Sequence, residues 1–176
     1  WDLPIEDLKK DFSEQELKDE LNELLSSSVK YRMISDVPLG SFLSGGLDSS
    51  ILVYNMSKFT DKPIKTYTIG FEGEGYNEFS YATEVSKFLG TDHNQEILSA
   101  EDYLNLLSKM IEYKYSPLAV PNEIALHKLS KSSKEDITVV LSGEGADELF
   151  GGYGRIFRSA YDFQRLDSGN LNEELI

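Results

Sequence analysis

Residues able to do chemistry gather at two places in this sequence. Phe42 to Leu52 reads FLSGGLDSSIL, two glycines between serines, with an apolar run leading in and a helix-like run leading out. Small residues at a strand-to-helix turn let backbone amides approach an anion, and the helix N-terminus behind them favours negative charge. A P-loop would add a lysine for the β- and γ-phosphates. This chain supplies Asp48 instead. A bare carboxylate repels phosphate, so phosphate at this turn requires a bridging Mg²⁺, an ion that takes carboxylate and phosphate oxygens together. Asp48 also suits a first helical turn that binds nothing, because acids are favoured there.

The second place is Ser142-Gly143-Glu144-Gly145-Ala146-Asp147-Glu148, which follows the most β-branched run in the chain, Ile137 to Ser142. Asp147 offers a second carboxylate for the same ion, and Glu144 is free for proton transfer or for orienting a nucleophile. Either segment alone reads as an ordinary turn or a solvated acidic loop. Together, each at the end of an apolar strand, they point to one nucleotide site. In an open doubly wound sheet, ligands lie outside the carboxyl ends of strands where the strand order reverses. Neighbouring first and fourth strands would therefore turn both segments towards one crevice.

The elements that must position these turns follow from spacing. Ser13 with Glu16 is a capping-box pattern, and Leu17, Leu21, Leu24, Leu25 and Val29 then recur at helical intervals towards Met33. That leucine stripe is expected to lie against the sheet, with a subunit or domain contact, such as a homodimer face, as the alternative use. Pro38 to Ser44 reads as a buried strand. Leu47, Ile51, Leu52 and Met56 give the next helix an apolar face. Tyr67, Ile69 and Phe71 alternate as in a strand, and Phe79, Ala82, Val85 and Leu89 predict a helix closed at Gly90. His93 to Leu98 is a further strand. Ser99 caps a helix through Ile111, and Asn122 is expected to cap another, running to about Lys131 after the Pro117–Pro121 loop. Strands alternating with helices predict an α/β fold, a doubly wound and mostly parallel sheet with helices on both faces.

Composition narrows the function. A formal net charge of −14 argues against a general nucleic-acid binder, which needs a basic face to neutralise phosphates. A chain of 176 residues without cysteine has no disulfide frame, thiolate metal site or thiol nucleophile, which suits the cytoplasm. No apolar run approaches membrane-spanning length, and the N-terminus lacks a signal-peptide pattern. His93 and His127 have no ligand-like spacing and read as structural or surface residues.

Ser44 to Ser49 resembles the PP-loop, or ATP-pyrophosphatase, motif SGGxDS. SDVPLGSFLSGGLDSS (Ser35 to Ser50), TYTIGF (Thr66 to Phe71), YNEFSYATEVSKFLGTDH (Tyr76 to His93) and VVLSGEGADELFGGY (Val139 to Tyr153) are together similar to the synthetase domain of glutamine-dependent asparagine synthetases. The resemblance implies an adenine nucleotide alpha hydrolase-like fold and cleavage of ATP between its α- and β-phosphates. It implies that Ser44, Gly45, Gly46, Asp48 and Ser49 form the pyrophosphate loop, and that Phe42 and Ile69 line the adenosine pocket. Ser142 and Gly143 would make a further nucleotide contact, Asp48 and Asp147 would hold Mg²⁺, and Glu144 would assist amine attack. A carboxylate would be activated as an acyl-adenylate, and ammonia from an N-terminal glutaminase domain would convert it to the amide.

The acceptor stays open. Members of the family carry a threonine-rich, arginine-containing segment where this chain has YSPLAVPNEIALHKLS, Tyr115 to Ser130. Aspartate, another carboxylate such as a sugar acid, or a nucleotide-binding module without catalysis are the readings left. A tRNA-thiolating enzyme is disfavoured by the lack of cysteine and of a basic surface. The ends read as cut, with Trp1-Asp2-Leu3-Pro4 lacking a methionine and Leu166 to Ile176 ending within a continuing pattern. Residues 1–12 are therefore expected to be linker from a missing N-terminal domain. Residues 13–165 are expected to form the synthetase domain, and 166–176 to begin further structure.

Overall fold

A computed structural model describes residues 13–73 and 77–154; the expected linker and the C-terminal segment from 155 onwards lie outside the described residues. The chain divides into two compact units between Leu141 and Ser142. The first runs α1 (Glu14–Arg32), β1 (Leu39–Phe42), α2 (Leu47–Ser57), β2 (Lys65–Phe71), α3 (Phe79–Leu89), β3 (Asp92–Leu98), α4 (Ala100–Lys114), α5 (Asn122–Ser133) and β4 (Val139–Leu141). Its four strands form one parallel sheet in the order β3-β2-β1-β4.

That order dictates where the helices go. The connections β1 to β2 and β2 to β3 step one way along the sheet, whereas β3 to β4 returns past β2 and β1. Right-handed crossovers place helices from opposite steps on opposite faces. Accordingly, Val29 of α1, Val53 and Met56 of α2 and Ala82 of α3 gather with Leu43 and Ile64. Ile124 and Ala125 of α5 gather with Leu98, with Tyr103, Leu106 and Leu107 of α4 against them, while Leu129 of α5 joins Tyr67 and Ile137.

Covered on both sides, β2 buries Thr66 and Thr68 as well as Tyr67, and Phe71 at its end is the more exposed residue. The alternation Tyr67, Ile69, Phe71 therefore marks a strand without marking a solvent face. His93 belongs to this interior: Thr66 Oγ1 lies 2.9 Å from its Nδ1, whereas His127 is exposed.

The leucine stripe of α1 departs from expectation. Leu17, Leu21 and Leu24 are exposed, Leu24 to 61%, and only Val29 is buried, with Met33 beside it. A 19-residue helix is about 28 Å long, and its C-terminal end alone reaches the core shared with α2. The start of α5 also differs. Asn122 is the first helical residue rather than the cap, Pro121 precedes it, and no side chain caps the helix there. Glu123 instead accepts from the amides of Ala119 and Val120 at 3.0 and 3.3 Å.

Charged groups tie the N-terminal edge of the sheet. Lys65 Nζ sits 3.2 Å from Asp92 Oδ2 and 3.4 Å from Asp136 Oδ1, and the buried Tyr67 hydroxyl donates to Asp136 Oδ2 at 3.1 Å. Burial first, then the bond to Asp136, push the Tyr67 phenol up from 10.0 to about 12. A raised phenol stabilises the fold below the unfolded value near 10, and that contribution is lost as pH rises through 12. Urea unfolding should show wild type losing roughly 2–3 kcal/mol relative to Tyr67→Phe between about pH 9 and 12. A constant gap between the two proteins would contradict this assignment. The opposite, C-terminal edge is where β1 ends in its glycine turn.

Candidate active site

Ser44 to Ser49 joins β1 to α2 beside the point where the strand order reverses, since β1 has β2 on one side and β4 on the other. The turn is built by its own polar atoms. The Ser44 amide donates to Ser49 Oγ at 3.3 Å, and the Ser44 and Ser49 hydroxyls lie 3.0 Å apart. The Gly46 amide donates to Ser44 Oγ at 3.2 Å, and the Ser49 and Ser50 hydroxyls both donate to Gly46 O, at 3.2 and 2.6 Å. Upstream, the Leu43 amide donates to Tyr67 O at 2.9 Å, fixing the strand end.

Gly45 is required twice over. Its φ is +85°, in the left-handed region, and an added Cβ would stand 2.5 Å from both Tyr81 C and Ala82 N. The turn therefore rests directly on the backbone of α3. Gly46 caps α2 in an extended conformation and offers no side chain to the helix. The first-turn amides of a helix have no intrahelical acceptor, so those of Leu47, Asp48 and Ser49 face outwards without a capping side chain. With the helix dipole behind them, they form a cradle for an anion. Asp48 is exposed at this same end, and among the described residues no lysine or arginine pairs with it.

Phe42 and Ile69 are half-buried on one face of the sheet, both against the Tyr67, Leu129 and Ile137 cluster. The structure thus brings Phe42, Ser44, Gly45, Gly46, Asp48, Ser49 and Ile69 together at the C-terminal edge of the first unit.

Ser142, Gly143, Glu144 and Asp147 belong to the second unit. Gly145, at φ +94°, turns the chain into α6 (Ala146–Phe150), and Ser142 and Glu144 are exposed. Asp147 is half-buried against Gly152, where an added Cβ would fall 1.7 Å from Asp147 Oδ1. The Tyr153 hydroxyl donates to Glu148 Oε1 at 2.6 Å. That bond first, with burial and the Glu148, Asp147 and Glu144 charges, pushes the Tyr153 phenol up to about 12, and the same bond holds Glu148 below its ordinary value. The sequence reading missed Tyr153, although a tyrosine five residues after an acid in a Gly-Gly turn is a visible signal.

A doubly wound parallel sheet with a Ser-Gly-Gly-x-Asp-Ser turn at the strand-order reversal is the fold of the PP-loop ATP pyrophosphatases. Solved structures agree at the level of fold. NMN synthetase from Francisella tularensis superposes with a TM-score of 0.53 at 21% identity, over 81% of this chain and 59% of that one. An NH3-dependent NAD synthetase from Campylobacter jejuni gives 0.52 at 16% identity, over 77% and 60%. Within this class the chain belongs to the asparagine synthase family, which matches residues 20–174.

Among curated relatives, it is 43% identical to asparagine synthetase [glutamine-hydrolyzing] 1 of Bacillus subtilis over 159 residues, 89% of this chain and 25% of that protein. It is 41% identical to putative asparagine synthetase [glutamine-hydrolyzing] 2 of Methanocaldococcus jannaschii, over 87% of this chain and 29% of that protein. Asparagine synthetase B of Escherichia coli is 32% identical over 77% and 27%. The chain therefore spans about a quarter of the length of these relatives. Among the described residues, no helix is long and apolar enough to cross a membrane.

Proposed function

We propose that this chain is the ATP-cleaving synthetase part of a glutamine-dependent ligase that converts a carboxylate, aspartate, into its amide, asparagine. The observation that carries this reading is the Ser44–Ser49 turn, with its uncapped amides at the start of α2, in a chain so similar to named asparagine synthetases. A pyrophosphate-sized anion suits that cradle. Phe42 and Ile69 would bound the adenosine, and Ser142 with Gly143 would make a second nucleotide contact. The acceptor carboxylate oxygen attacks the α-phosphorus of ATP, the bond to the β-phosphate oxygen breaks, and pyrophosphate leaves the acyl-adenylate. Ammonia then attacks the acyl carbon, loses a proton and expels AMP. The backbone amides at Ser44–Ser49 hold the departing pyrophosphate where its charge develops, so catalysis is positioning and charge stabilisation.

Asp48 and Asp147 are the proposed holders of Mg²⁺. Their chemistry fits, because each is a carboxylate with at least part of its surface open. Among the described residues, no three histidine, cysteine, aspartate or glutamate side chains gather around a cation site. Phosphate and water oxygens would complete the set, as Mg²⁺ prefers. When bound, the ion supplies neutralisation of phosphate charge. The proposed ammonia source is an N-terminal glutaminase domain of the longer protein, and the proposed compartment is the cytoplasm.

Glu144 is the proposed base or positioner for the attacking amine. Because it is exposed, Glu144→Ala in the full-length protein should leave the fold and ATP binding intact and reduce amide formation by about 10²-fold. A large loss of ATP affinity would move Glu144 into the nucleotide site. The acceptor is tested by measuring AMP release from the full-length protein with ammonia and a panel of carboxylates. Aspartate should stimulate it most, and stimulation by a sugar acid instead would reassign the substrate.

A further inference from the structure

At the C-terminal end of β2 one side of the backbone pairs with β3, Phe71 opposite Leu98, and the other side is held by a side chain. Asn77 Oδ1 accepts from the Phe71 amide at 2.6 Å, while its Nδ2 donates to Phe71 O at 2.8 Å and to Gly73 O at 3.4 Å. The carboxamide thus bonds both polar groups of one strand residue, as a paired strand would. Gly70 makes room for it. A Cβ at that position would stand 2.4 Å from Asn77 Oδ1 and 2.5 Å from Phe79 Cζ.

The segment that begins at Asn77 ends on the glycine turn. Tyr81 C and Ala82 N, in the first turn of α3, stand where a Cβ on Gly45 would have to go. No side chain caps α3 at Glu78, so Asn77 is the polar tie at this helix start. The path is short and continuous: the end of β2, Asn77, the first turn of α3, and the backbone of Gly45.

We infer that Asn77 is a positioning residue for the anion cradle. By fixing where α3 begins relative to β2, it sets the surface against which Gly45 adopts its left-handed conformation, and so directs the amides that follow. Asn77 acts through the turn and need not touch a ligand. The inference rests on the function proposed above.

The test is calorimetric titration of the full-length protein and its variants with Mg·ATP, together with steady-state kinetics. Asn77→Ala should raise the Kd and KM for Mg·ATP about ten-fold, since small misplacements of binding groups carry such effects, while leaving the KM for glutamine unchanged. Asn77→Asp keeps the bond from the Phe71 amide and loses the two donated bonds, so it should fall between Asn77→Ala and wild type. It carries the test if the alanine variant does not fold. Thr83→Ala is the control. It removes a different tie of α3, the 2.8 Å bond from Gln95 Nε2, and should leave ATP binding unchanged. Wild-type affinity in both Asn77 variants would overturn the inference while the function stands. Equal weakening by Thr83→Ala would also overturn it, by making the effect a general loosening of the helix. A wild-type protein that binds no Mg·ATP would remove the function itself.

Discussion

Gly45→Ala is expected to destabilise the protein by about 2–5 kcal/mol and to eliminate ATP binding by whatever remains folded. Two costs add. A non-glycine residue in the left-handed region costs about 1–2 kcal/mol, and Gly45 sits there at φ +85°. The new methyl would also meet Tyr81 C and Ala82 N, each at 2.5 Å. These are backbone atoms of a packed helix, with no rotamer to give way, and overpacking of this kind typically costs about 1–3 kcal/mol. Relief must come from moving α3 or reshaping the turn, and either disturbs the amides of Leu47 to Ser49. Gly46→Ala is the informative contrast. Its φ is −67°, and its added Cβ would approach only Ser44 Oγ, at 3.2 Å. That substitution should cost about 1 kcal/mol or less. Chemical denaturation of both variants measures the difference, and equal stability would show that the turn does not lean on α3 as described.

Asp48→Ala should separate the two effects: no change in stability beyond about 1 kcal/mol, and loss of metal-dependent ATP binding by about 10³-fold or more. The side chain is exposed and, among the described residues, has no cationic partner whose loss would unsettle the fold. Its one favourable local role, an acid in the first turn of α2, is worth about 0.3–1 kcal/mol at most. A carboxylate placed at an anion cradle makes binding worse unless a cation joins the two, so removing it should abolish the Mg²⁺-dependent part of the affinity. Titration with ATP, with and without Mg²⁺, reads this directly. Affinity unchanged in Mg²⁺ would show that Asp48 holds no ion, whereas improvement without Mg²⁺ is expected once the bare carboxylate is gone.

Much of the architecture was legible because it is local. The Ser13 capping box forms with both of its bonds, Ser99 accepts from the Asp102 amide at 3.0 Å, and Gly90 closes α3 at φ +67°. The glycine turn was legible for the same reason, since its serines and glycines bond within six residues. What could not be read depends on partners distant in sequence. Neighbouring β1 and β4 follow from the direction of the β3-to-β4 crossover, which no local pattern encodes. Periodicity shows that Leu17, Leu21 and Leu24 share a face of α1, but not whether the core extends beneath them. At α5 the expected Asn122 cap lost to Glu123, whose longer side chain reaches back to two loop amides and is held in its charged form chiefly by Lys114. Asn77 went unnoticed because its significance lies in where Gly70 and Gly45 leave space, a property of the assembled sheet and helix.

The proposed activity is cleavage of ATP between its α- and β-phosphates to activate a carboxylate. The most direct test is to incubate the full-length protein with Mg·ATP, ammonium and aspartate and to quantify the nucleotide and phosphorus products together with the amide. One AMP and one pyrophosphate should appear for each asparagine formed. Formation of ADP and inorganic phosphate, or no AMP with any carboxylate, would contradict the proposed activity.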